Sequence, residues 1–109
     1  MDINQMIEES HRRAVEHGWW ETAEDKSIPV KLALIHSEVS EALEEYRRER
    51  MEIWSSDGGK PEGFPIELAD IMIRVFDLAG ALDIDLEAAL RFKSNYNEAR
   101  PYRHGGRKV

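Results

Sequence analysis

Hydrophobic positions recur at helical spacing in four stretches of this chain, with glycine and proline gathered between them. Ile3, Met6, Ile7, Ser10 and Ala14 share a face at about 100° per residue. Asp2 before them suits an N-cap and Gly18 after them a C′ residue, so a first helix is predicted over about 2–17. The stretch GWWETAEDKSIP breaks the pattern. Ser27 can cap and Pro29 sits in the first turn of a second helix, predicted over about 29–50. Its Leu32, Ile35, Val39, Ala42, Leu43 and Tyr46 fall on one arc. Residues 51–65, MEIWSSDGGKPEGFP, carry Gly58, Gly59, Pro61, Gly63 and Pro65 and read as a long loop, of a length that is often functional or mobile. Pro65 opens a third helix reaching about Leu82. Asp85 caps a fourth that ends before Pro101. No stretch alternates with the period of a strand, and no internal repeat is evident. The expected fold is all-α, a four-helix bundle with one loop long enough to act as a crossover or flap.

Acidic residues interrupt the two central apolar segments in a regular way. Residues 38–41 read EVSE and residues 67–70 read ELAD. On the second helix Glu38, Glu41 and Glu45 fall within a sector of about 60° that also contains Leu34. On the third, apolar residues cover most of the circumference and leave one narrow stripe of Glu67, Asp70, Arg74 and Asp77. A helix apolar nearly all round is central to its fold or lies in a subunit interface. Acids three and four apart are also what a solvated helix face looks like. If the two stripes face one gap, however, four carboxylates converge, and two such charges about 4 Å apart repel by about 4 kcal/mol at an effective dielectric of 20. Protonation or hard divalent cations must then neutralise them. An all-oxygen donor set suits Mg²⁺, with Mn²⁺ as a substitute.

The fourth helix carries a second irregularity. Leu86, Ala89, Leu90 and Tyr96 define its apolar face, and Lys93, Asn97 and Arg100 lie on that same face. Snorkelling or an ion pair with the acids above is one explanation. The other is a cation, an amide and a guanidinium aligned to meet phosphate oxygens. A metal-gathering cluster and a phosphate-gathering row together imply a nucleoside triphosphate or a similar substrate.

Charge and composition support this reading. The net charge of −7 is uneven, because the tail RPYRHGGRKV holds four basic residues and no acid, leaving −11 on the first 99 residues. An acidic body argues against nucleic-acid binding. The length suits a single domain over 1–109, with 101–109 a basic C-terminal tail. The chain has no cysteine, so neither disulfides nor thiolate metal sites enter. No apolar run approaches the roughly 20 residues of a membrane span, and the start lacks a signal-peptide profile. A cytoplasmic protein without a membrane partner is expected.

Three segments together, KLALIHSEVSEALEEYR (31–47), IELADIMIRVFDLAG (66–80) and KSNYNEARPYRHGG (93–106), resemble the MazG-like, all-α nucleoside triphosphate pyrophosphohydrolases, in particular small stand-alone members of phage type. The resemblance implies a helical bundle completed by assembly into a homodimer or homotetramer, with sites built where subunits meet. It implies Mg²⁺-dependent hydrolysis between the α- and β-phosphates, giving a nucleoside monophosphate and pyrophosphate. On that basis Glu38, Glu41, Glu67 and Asp70 would be metal ligands and catalytic residues. Lys93 and Asn97 would hold phosphate, a row that Arg100, Tyr102 and His104 would extend. The family pattern often begins with two adjacent acids, and here Ser37 stands at the earlier position, which leaves open whether Glu45 compensates.

Other residues are read more plainly. Of Trp19 and Trp20 one is expected to pack and the other to be exposed, with Trp20 and Trp54 the candidate contacts to a nucleobase. His36 reads as a packing residue. Neither acidic pair is followed by the histidine that di-iron carboxylate bundles place there. Two other readings stand beside the enzyme: a non-catalytic helical interaction domain, whose apolar third helix is a protein interface, and a relative confined to dUTP or phosphoribosyl-ATP.

Overall fold

A computed structural model describes residues 1–101. Among them four α-helices follow in order, α1 (Ile3–Glu16), α2 (Ile28–Arg47), α3 (Phe64–Ala81) and α4 (Leu86–Ala99). The all-α expectation holds, with one small addition in the long loop: β1 (Trp54–Ser55) and β2 (Pro61–Glu62) pair antiparallel, Trp54 opposite Glu62. The helix starts obey their local chemistry. The Asp2 carboxylate accepts from the Gln5 N–H at 2.8 Å while the Gln5 side chain accepts from the Asp2 N–H. Ser27 and Asp85 cap α2 and α4 through Val30 N–H and Ala88 N–H.

Three helices end alike. Beyond α1, α2 and α3 a residue at positive φ (Gly18, Glu49, Asp83) turns the chain, and the following N–H reaches back to Ala14, Glu45 and Ala79 respectively. This stops α2 at Arg47, three residues short of the expected end. The loop that follows is pinned at its base, where Phe64 N–H donates to the Arg50 carbonyl at 2.8 Å.

α1 and α2 both pack along α3, whereas α4 meets α1 and contributes Leu86 to the core. That core is small. Ile7, Phe76 and Ala79 are its buried members, with Ile3 and Leu86 against them. Gly80 lets α1 approach closely, since a Cβ there would lie 2.7 Å from the His11 Cβ.

Of the apolar arc, burial along α2 keeps only Ala42 and, in part, Ile35. Its buried residues are Lys31, Glu38, Ala42 and Glu45, while Leu32, Val39, Leu43 and Tyr46 are exposed. His36 is exposed on that outward side as well, not packed. On α3 the polar stripe also turns inward. Asp77 is 3% exposed, and Leu68, Met72 and Ile73 face out. From Ala88 to Arg100 every residue of α4 is exposed.

Candidate metal centre

The inward turn of the two polar stripes brings carboxylates of α2 and α3 together. One oxygen each from Glu38, Glu67 and Asp70 lies within 4.8 Å of the others. Two oxygens at this site, Glu38 Oε2 and Glu67 Oε2, are shut off from solvent and have no hydrogen-bond partner. A buried carboxylate oxygen without a donor is costly, and each native instance calls for an explanation. Three carboxylates, two of them with an orphaned oxygen, fit a hard divalent cation.

The protonation state reflects the crowding. Glu67 is pushed up to about 7, first by burial, then by the charges of Asp70 and Glu41, a hydrogen bond with the Glu41 side chain, and the charge of Glu38. Asp70 is raised by burial and by Glu38, against the pull of Arg74 and of Lys60 on the hairpin. Glu41 therefore belongs to the neighbourhood but not to the three-oxygen group, where four had been expected. It is exposed and leans on Glu67. Glu45, one turn beyond Glu41, is engaged away from the three-oxygen group. Its carboxylate accepts from Trp54 Nε1 at 3.3 Å and lies 3.9 Å from Arg50.

Arg74 is the residue that the sequence reading left unassigned. Its Nε donates to Glu38 Oε1 at 2.8 Å, and its guanidinium lies over the Trp19 ring, 5.1 Å from the centroid. Its place in the stripe, one turn beyond Asp70, was visible; its partner on α2 was not.

Of the adjacent tryptophans one packs and the other is exposed, as expected: Trp20 is the packed one and Trp19 the exposed one. Trp20 donates its indole N–H to both oxygens of Asp77, at 2.9 and 3.1 Å. Asp77 also pairs with His11 Nδ1 at 2.9 Å, and the buried Lys31 covers the Trp20 ring at 4.1 Å while donating to the Trp19 carbonyl. Trp20 is thus tied into a network joining α1, α2 and α3. Trp54 is held by Glu45 and by Arg50 stacked at 4.5 Å. Trp19, 39% exposed, is the indole linked to the carboxylates through Arg74.

The phosphate row is not brought to the cluster. Lys93 and Arg100 lie over the Tyr96 ring, at 4.8 and 5.8 Å, on the exposed part of α4, and Asn97 between them is exposed. Tyr102 and His104 fall outside the described residues. No helix among the described residues is long and apolar enough to cross a membrane. No family model, curated protein or solved structure matches the chain.

Proposed function

We propose that the protein is a Mg²⁺-dependent nucleoside triphosphate pyrophosphohydrolase, acting as a homo-oligomer of MazG-like bundle type. One observation supports this above the others: Glu38, Glu67 and Asp70 converge, and Glu38 and Glu67 each keep a buried oxygen without a hydrogen-bond partner. These three side chains would hold Mg²⁺ or Mn²⁺, with Glu41 beside Glu67 at the exposed edge. A cation there would offset phosphate charge and make water a better nucleophile at neutral pH.

The chain's own groups supply the rest. Glu67, pushed up to about 7 by burial and its acidic neighbours, is part-protonated near neutral pH and can release that proton as a cation arrives. Lys93, Asn97 and Arg100 are exposed and would bind phosphate oxygens, delivered by a second copy. The outward apolar faces of α2 and α3 support that assembly: Val39, Leu43, Leu68 and Met72 each expose between 46% and 50% of their surface. The same faces would serve a non-catalytic interaction domain, for which the carboxylates have no use.

Pyrophosphate release from a panel of deoxynucleoside and nucleoside triphosphates, including dUTP, with and without Mg²⁺, separates these readings. Release that needs Mg²⁺ and is lost in Glu38→Gln and Asp70→Asn is expected. Turnover of dUTP alone narrows the substrate, and no release from any nucleotide by a folded, Mg²⁺-saturated protein removes the enzyme.

A further inference from the structure

Resting on the metal-site reading, we propose that Arg74 is the built-in counter-cation of the carboxylate cluster: it occupies Glu38 until a divalent cation displaces it, and then turns to the substrate's phosphate from its perch on Trp19.

Three observations carry this. Arg74 makes its hydrogen bond to Glu38 through Nε at 2.8 Å, between side chains that are 24% and 10% exposed. A guanidinium so placed neutralises a carboxylate that would otherwise be a buried, uncompensated charge, a situation that costs several kcal/mol when one partner is removed. Second, the bond uses one edge of the fork. Nε is its only donor bonded among the described residues, so both terminal nitrogens are available to an anion. Third, the guanidinium is held from the other side by the Trp19 ring at 5.1 Å. Stacking does not depend on Glu38, so the group stays beside the site when the carboxylate turns to a cation. A lysine in its place would keep the charge without the planar fork.

The direction of the effect separates this role from a structural one. A merely structural Arg74 would, when removed, disorder the site and weaken metal binding. A counter-cation, when removed, strengthens it. Mn²⁺ affinity of the nucleotide-free protein, measured by electron paramagnetic resonance, is expected to rise at least about tenfold in Arg74→Gln and to change little in Arg74→Lys. In steady-state assays Arg74→Gln is expected to raise KM for the nucleotide even with the metal site saturated. Unchanged or weakened Mn²⁺ binding in a folded Arg74→Gln protein overturns the proposal, and tightened Mn²⁺ binding with an unaltered KM overturns its second half.

The wild-type chain offers a check that needs no variant. In nitrogen-15 spectra, the Arg74 Nε–H resonance should move when Mg²⁺ is added alone, and again when inorganic pyrophosphate follows. A resonance that stays put at saturating Mg²⁺ overturns the exchange. Wild-type protein that binds no Mn²⁺ at all refutes the metal site itself, an outcome distinct from a bound metal that ignores Arg74.

Discussion

Glu67 and Asp77 are both acids on the inner stripe of α3, and their surroundings give them opposite tasks. Asp77 is answered in full, by His11 on one side and the Trp20 N–H on the other. Asp77→Ala leaves two half-buried donors without an acceptor and is expected to lower unfolding free energy by about 1 kcal/mol in urea titrations, with a change in tryptophan emission. Glu67 has one buried oxygen without a donor, and burial first, then the like charges around it, raise it from 4.5 to about 7. The folded protein therefore keeps a proton that the unfolded chain releases above about 4.5. Metal-free stability should be greatest below that pH and decline as pH rises through about 7, with Asp70 adding in the same direction. Melting temperatures in EDTA should fall across this window, and Glu67→Gln should flatten the profile. Saturating Mg²⁺, at 100 times its Kd, should restore about 2.7 kcal/mol at neutral pH. The acids were legible in the sequence because their spacing follows the helical repeat. Arg74 and Asp77 had the same spacing, yet their partners come from α1, α2 and the 17–27 segment. No periodicity within α3 can report those contacts.

At the scale of elements, helix starts were legible and ends less so. Asp2, Ser27 and Asp85 announce caps by residue type. Gly18 announces an end, but Glu49 and Asp83 close α2 and α3 with the same backbone turn and no such signal. The hairpin was read only as loop because its strands are two residues each, too short to alternate. Its closure depends on Gly63, at φ +115, where a Cβ would overlap the Glu52 carbonyl oxygen. Gly58 shares a positive φ but has open space around it. Gly63→Ala should therefore destabilise by about 1–3 kcal/mol and more than Gly58→Ala, as judged by chemical denaturation. It should also loosen Trp54, whose indole rests against Glu45.

For the whole molecule, hydrophobic periodicity found the helices and the inner side of α1, where Ile7 and Ala14 are buried, but not the inner side of α2. On α2 it pointed to Leu32, Val39 and Leu43, and the fold buries Lys31, Glu38 and Glu45 instead. The radius of gyration, 16.6 Å, exceeds the roughly 13 Å of a compact chain of about 100 residues. Light scattering at micromolar concentration should show a dimer or tetramer, and Val39→Glu with Leu43→Glu should give monomers that no longer release pyrophosphate although Glu38, Glu67 and Asp70 are intact. A wild-type monomer under these conditions would leave the α4 row without a route to the cluster. The most direct test of the cation site is anomalous diffraction from crystals soaked in Mn²⁺. One or more peaks are expected within bonding distance of Glu38, Glu67 and Asp70, with Arg74 turned away from Glu38. A saturated soak with no peak there, and Arg74 still on Glu38, would contradict it.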